Sequence, residues 1–526
     1  MIRFTVKITL VLLLALSFKD ISAQNYAENS VLKDGTIYKI GVTEDGFYRI
    51  SFDELSAAGV DISALNHSKI SLFGNKSGML PENNTSTCYD DLTEMNISVD
   101  ENGIVFYGQS PVEWKFNGTN YIYNTNYYSD TTFYFLKIDN QEDGKRFELQ
   151  EEPSGEPGNI VNSFLDKQFH ETDLHNYYHR GRKWYGETIE GDNPEMTFPF
   201  VFKNADTGKK GFVEARFIGA SKTENFVVRL KVNGEQVGND IEIKKVGDYS
   251  FGVEEYVSSD FNLEGDDIDV SLEFVANNVS TFVGVDYIAV NTWRSLSYND
   301  EQLQFAFDCF VHQKIEFVSI DNASSEMTLF DVTEPLSPKI QRFTKENNKI
   351  KFKVLSGSNA FVLLKDSDFH EIKSIKRINN HNLHSLFEAD MLIITDKIFA
   401  SQAEEIKNIH EYDGLHSEVV FVDEIYNEFS SGAPDITGIR NFIRMIYHRA
   451  SDLKYVLLLG RGSNDFKNVE GYGNNFVPPY EANTVVNEIT SYVTDDYYGL
   501  MNEDEGENCL GSIDLGVGRI PVLTPD

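Results

Sequence analysis

Two short stretches bring together the residue types from which a site could be built. In YVLLLGRGSNDFKN (Tyr455–Asn468), five apolar or aromatic residues run straight into a glycine-rich polar loop, where Ser463 supplies a hydroxyl and Asp465 a carboxylate. The glycines let the backbone turn tightly or approach a ligand closely, although a plain exit from a strand into a loop would read the same way. In TDDYYG (Thr494–Gly499), the adjacent carboxylates Asp495 and Asp496 precede two aromatics. Either carboxylate could contact a substrate cation or a metal, and two exposed turn aspartates would look identical.

Other chemistries find less support. Neither GRGSND nor GYGNNF completes GxGxxG and no GxxxxGK occurs, so nucleotide binding is unsupported. The residue two before Ser463 is Arg461 rather than the glycine of a serine-hydrolase nucleophile elbow, and no HExxH is present for a zinc protease. Cys509, in NCLGSIDLG, could be a nucleophile or could pack as a small hydrophobe ahead of the last strand. His175 and His179 are four apart, as two metal ligands on one helical face would be. Their neighbours Tyr177, Tyr178, Trp184 and Tyr185 favour an aromatic segment packed across a domain.

The elements around these stretches predict what must position them. Met391–Thr395 (MLIIT) is a continuous apolar strand, and Ser401 is expected to cap a helix carrying Ala403, Ile406, His410 and Asp413 at helical spacing. HSEVVFVD reads as a second strand, and Asp435 caps a helix with Ile436, Ile439, Ile443 and Ile446 on one face. YVLLLG is the third strand and IDLGVGRIPV the fourth, followed by Thr524-Pro525-Asp526, a combination that suits a helix start. The first three strands, joined by two crossover helices, predict a parallel sheet, whose ligands bind beyond the carboxyl ends of the strands. GRGSND lies at such an end.

Upstream the texture differs. From Gly35 to Leu136 short apolar runs alternate with turns (TIYKIGV, GFYRI, KISLFG, GIVFYG), which predicts strands, with Ser51 or Asp53 capping a short helical turn that ends at Gly59. A second region, including GFVEARFIGA, NFVVRLKVNG, IDVSLEFVA and STFVGVDYIAV, shows period-two alternation broken by Gly, Asn or Asp, which predicts a sandwich.

At 526 residues the chain is long enough for about three domains. The first residues, with Arg3 and Lys7 ahead of an apolar run from Ile8 to Leu16 and a small-residue end at Ala23, read as a secretory signal. That run is about half of the roughly 20 residues a spanning helix needs. Without this segment's three basic and one acidic residues the formal charge moves from −37 to −39, which argues against nucleic acid and anionic headgroups as partners. Such acidity is that of a solvated surface, with calcium as the sharper alternative, although no EF-hand spacing appears. Cys88, Cys309 and Cys509 are odd in number and widely spaced, so no disulfide framework holds the fold.

Taken in order, MLIIT, SQAEEI, EVVFVDEIYNEFSSGAPDITGIRNFI, YVLLLGRGSNDFKN, FVPPYE, TDDYYG and DLGVGRIPV resemble the start of the peptidase domain of gingipains, the clan CD cysteine peptidases related in fold to caspases. GFYRISFDEL, the GRKWYGE segment and the β-rich regions are similar to the branch of that family that serves as the type IX secretion sortase of Bacteroidetes, which extends the resemblance over nearly the whole mature chain.

The resemblance implies a cell-surface cysteine endopeptidase that needs no cofactor and removes the C-terminal sorting domains of exported cargo. In the sortase branch it also transfers the new end to an anionic lipopolysaccharide. Outer-membrane secretion components are the implied partners. It further implies a histidine, typically in Gly-His-Gly, and a later cysteine. No Gly-His-Gly occurs, so both are expected beyond Asp526 and this chain is expected to be inactive by itself. Asp495 aligns with the aspartate that receives the basic side chain in arginine-specific gingipains, unless Asp496 shifts the register by one. Arg461 stands where relatives commonly have aspartate, so no role is carried over for it.

The expected organisation is a signal peptide at 1–23, a β-rich domain at 24–150, a β-sandwich-like domain at 151–365, and the first part of a caspase-like α/β domain with a mainly parallel sheet at 366–526. A non-enzymatic surface or secretion-scaffold protein with a degenerate peptidase domain is the alternative.

Overall fold

The structure, a computed structural model, describes residues 26–526 apart from 87, 192–193, 277–280, 309–313, 356, 358 and 450–451. The signal sequence read at 1–23 lies outside the described residues.

The amino-terminal module is built on a five-stranded sheet in which Ile37–Val42 lies between Thr132–Lys137 and Ser374–Ile378. Against it packs a three-stranded sheet containing Gly46–Ser51 and Gly103–Gly108. The turn after Gly46–Ser51 is a short helix held by a capping box. Ser51 Oγ accepts from the Glu54 N–H and the Glu54 carboxylate accepts from the Ser51 N–H. The chain then turns at Gly59, whose φ of +95° is a left-handed conformation that glycine adopts without strain.

Residues 163–295 form a two-sheet sandwich. One sheet runs in the order Ser163–Glu171, Phe282–Ser295, Lys210–Ala220, Val253–Asn262, and the other in the order Glu195–Val201, Asp267–Val275, Phe226–Val232, Glu235–Ile243. Strand Phe226–Val232 buries every second residue, the expected result of strict alternation on a sheet with one dry face. A smaller pair of sheets follows, built from strands between 303 and 364 together with Glu148–Gln150 and Ile160–Val161. The chain then returns to the first module, where Ser374–Ile378 pairs antiparallel with Ile37–Val42.

The carboxyl-terminal domain contains β1 (Met391–Thr395), α1 (Ala400–Tyr412), β2 (Ser417–Phe421), α2 (Val422–Phe429), α3 (Ile436–Arg449), β3 (Tyr455–Leu459) and β4 (Gly516–Ile520). Its sheet is entirely parallel, in the order β2-β1-β3-β4. Strand β1 is buried on both faces, which is why MLIIT does not alternate. Helix α1 and the turn before it cover one face through Ala403 and Phe399, while α2 and α3 cover the other through Ile425, Ile439, Ile443 and Ile446. Each fully buried aliphatic side chain contributes roughly 1.5–3 kcal/mol by removal from water.

Two local expectations differ from what is found. Ser401 lies within α1 rather than capping it. The chain enters that helix through the turn Lys397–Phe399, where the Asp396 carboxylate accepts from the Ile398 N–H. HSEVVFVD is also not one strand, because Val422 already begins α2, so two helices rather than one separate β2 from β3. Asp435 does cap α3, accepting from the Thr437 N–H at 2.8 Å.

Candidate active-site cleft

Because all four strands run the same way, their carboxyl ends lie on one edge of the domain, and a cleft of about 640 Å³ opens there. It is lined by Arg461 and Gly462 after β3, Pro479, the segment Val493–Asp495, Arg519 at the end of β4, and Pro521 and Leu523. Three loops of quite different composition meet at this point, and Arg519 joins them.

Its guanidinium forms a two-pronged ion pair with Asp495, Nε to Oδ2 at 2.8 Å and Nη2 to Oδ1 at 2.6 Å. Nη1 donates to the carbonyls of Gly460 and Val477 at 2.9 and 2.6 Å. Parallel planar groups of this kind give strong and geometrically specific contacts. One side chain therefore fixes the end of β3, the FVPP loop and the TDDYYG loop relative to β4. Gly462, in the loop after β3, makes this packing possible. A Cβ on Gly462 would stand 2.6 Å from Pro479 Cδ and 2.7 Å from the Val477 carbonyl oxygen.

The sequence-derived candidates separate in space. Asp495 lines the cleft, and its charge is engaged by Arg519. Asp496 is exposed and opens the short helical turn Asp496–Gly499. Ser463 Oγ accepts from the Asp465 N–H, and the Ser463 N–H donates to Asn475 Oδ1. Buried Asp465 spends one carboxylate oxygen on the Val469 N–H and the other on the Glu470 N–H, at 2.7 and 2.9 Å. Ser463 and Asp465 thus close the GRGSND loop on itself. Arg519 was not singled out from the sequence. The available signal was a charged residue within a five-residue strand, next to the sheet edge where ligands bind.

Behind the cleft the GRKWYGE segment crosses from the sandwich. Arg182, 3% exposed, makes an ion pair with Glu82 at 2.5 Å and donates to the hydroxyls of Tyr128 and Tyr480. Trp184 Nε1 donates to the Asn464 carbonyl inside the GRGSND loop, and Lys467 in the same loop pairs with Asp130 and Asp173 at 2.7 Å each. Burial works against the Lys467 ammonium, but Asp173, Glu171 and Asp130 hold it protonated beyond its usual range. The aromatic segment thus packs across domains. His175 and His179 share no helical face. His175 bridges to Tyr185 through the backbone, and His179 sits in a turn with φ +49° and Nδ1 3.5 Å from Glu470. Among the described residues no group of three His, Cys, Asp or Glu side chains converges as a metal site would.

Cys509 lies in the turn Glu507–Cys509, half-buried against the α/β core. Burial, with Asp496 and Glu82 nearby, pushes its thiol up to about 11, the reverse of what a nucleophile requires.

Residues 384–526 match the model of peptidase family C25. The resemblance to gingipain-type peptidases read from the ordered motifs is borne out by this match. No curated protein matches the chain. Among solved structures, the dimeric latent PorU from Porphyromonas gingivalis superposes with a TM-score of 0.82 over 95% of this chain at 23% identity, so the fold is that of PorU. The chain spans about half of that protein, 49% of its length. The CBM36-1 domain of a multidomain xylanase from the hindgut metagenome of Trinervitermes trinervoides also matches, over 24% of this chain and 96% of that domain at 16% identity, with a TM-score of 0.16.

Proposed function

We propose that this chain is the amino-terminal part of an exported cysteine endopeptidase of the type IX secretion system, which cleaves the C-terminal sorting domains of cargo at the cell surface. The observation that carries the reading is a cleft at the carboxyl ends of a parallel sheet, within the segment that matches peptidase family C25. In this reading the catalytic histidine and cysteine are supplied by polypeptide beyond Asp526. Residues 384–526 supply the floor and one wall of the cleft, and the β-rich modules hold the loops in place. A thiolate needs an imidazole within hydrogen-bond reach, and the raised Cys509 thiol does not meet that condition. In this reading the chain by itself does not cleave. Outer-membrane secretion components are the proposed partners, and a structural calcium ion remains part of the proposal for the acidic surface.

The test is to follow the reading frame past codon 526 and assay the extended polypeptide on a cargo protein. The expected result is removal of the cargo's C-terminal domain, lost when the downstream cysteine is changed to alanine and absent with residues 24–526 alone. An extension with no histidine and cysteine, or cleavage that survives the cysteine substitution, would overturn the proposal.

A further inference from the structure

The cleft has an electrostatic character that its acid alone would not suggest. Asp495 is its carboxylate, but the two-pronged pair with Arg519 already occupies both oxygens. Arg519 in turn has four of its five N–H groups committed, to Asp495 and to the Gly460 and Val477 carbonyls, so this pair is a finished internal unit. The remaining charge on the wall is Arg461. Its guanidinium makes no hydrogen bond, ion pair or ring contact among the described residues, in a chain where 83 acids face 46 Lys and Arg.

Arg461 is also firmly mounted. Its N–H donates to the Val522 carbonyl at 2.9 Å, and its carbonyl accepts from Phe476 N–H at 2.9 Å. The floor and wall that these residues form therefore present one uncompensated cation beside the apolar surfaces of Pro479, Val493, Pro521 and Leu523. A carboxylate on a short aliphatic stem complements that arrangement, whereas an ammonium would meet Arg461 and find no free acid among the described residues that line this wall.

We propose that the cleft receives an acidic side chain of a peptide, with Arg461 as the cation that binds it and Arg519 as the internal counter-ion that withdraws Asp495 from basic side chains. This deepens the peptidase reading by assigning a substrate class to its cleft, and it rests on that reading.

The test uses dansyl-labelled peptides Gly-Ala-Ala-X-Ala-Gly with X as Glu, Gln or Lys, titrated with the chain and followed by fluorescence anisotropy. The Glu peptide is expected to bind about tenfold tighter than the Gln peptide, the scale of one partly exposed charge-assisted contact, and the Lys peptide most weakly. Arg461→Ala should erase the difference between Glu and Gln, and Arg461→Glu, a surface change that leaves the fold intact, should reverse the order of Glu and Lys. Arg519→Met should free Asp495 and raise binding of the Lys peptide. Equal binding of Glu and Gln by the unaltered chain, binding of none of the three, or a Glu preference that persists in Arg461→Ala would overturn the inference. Cleavage after Lys in preference to Glu by the extended polypeptide would also overturn it while leaving the peptidase reading standing. A preserved Glu preference in a gene product that cleaves nothing would support the cleft's assignment and remove the peptidase reading.

Discussion

At the scale of single residues, the molecule places its charges in pairs and spends them on position. Arg519 is the clearest case: removing its side chain leaves Asp495 without a partner and releases two carbonyls. Arg519→Met is therefore expected to cost about 2–3 kcal/mol in urea unfolding, while Lys at this position, lacking the planar fork, should recover less than half. A second pair is fully buried. His384 Nδ1 lies 2.6 Å from the Glu428 carboxylate, its ring stacks on Phe429, and its Nε2 faces Asp90. Burial alone would lower its pKa, but Asp90 and Glu428 lift it to about 9 from 6.5. Because the folded value exceeds the unfolded one, the stabilisation is complete below pH 6.5 and is lost as pH rises through about 9. The stability difference between the wild-type chain and His384→Gln, measured by urea unfolding at pH 6.5, 8 and 10, should shrink along that series, and a constant difference would refute the charged pair. The sequence made Asp495 visible as a carboxylate in a loop after a motif. It could not show that Arg519, 24 residues later, neutralises it, because that pairing depends on β4 lying next to β3. For the same reason Ser463 and Asp465 read as candidate ligands until their loop closed on itself.

At the scale of elements, periodicity carried most of the information. The Ile436, Ile439, Ile443 and Ile446 stripe and the unbroken MLIIT and YVLLL runs specify a buried helix face and parallel strands with little ambiguity. Element ends were harder, since they depend on local hydrogen bonding. Asp396 serves the turn before α1, so Ser401 is not needed as a cap, and the switch from β2 to α2 occurs within VVFVDE without glycine or proline to mark it. Asp435 has a role beyond its helix: its other carboxylate oxygen accepts from the Leu80 N–H of the amino-terminal module at 2.8 Å. Asp435→Ala should accordingly cost more than the ~1 kcal/mol of an ordinary cap, about 2–3 kcal/mol, and Asp435→Asn, whose single amide oxygen can accept from only one of the two N–H groups, should recover the cap but not the excess, as read from thermal unfolding.

At the scale of the whole molecule, the domains do not stand alone. Tyr128 of the first module is part of the α/β core, with Tyr26, Met79 and Tyr127 packed against it. Lys39 crosses between the same parts, its ammonium donating to Asn427 Oδ1 and the Gly432 carbonyl at 3.0 and 2.7 Å. Residues 384–526 expressed alone should therefore be insoluble or molten, whereas residues 24–526 should be folded and resist limited proteolysis; a stable, cooperatively unfolding 384–526 fragment would contradict this account. The sequence suggested separate modules because hydrophobic periodicity reports on each segment's own core and not on which cores are shared. The sheet that opens the chain adds a constraint on the order of events. Ile37 pairs with Ile378, so one edge of the first sheet stays unfinished until about 340 further residues have been synthesised. A nascent chain of this protein must keep that early edge from pairing with the wrong strand while the whole sandwich emerges, which makes chaperone dependence during synthesis a property of its topology.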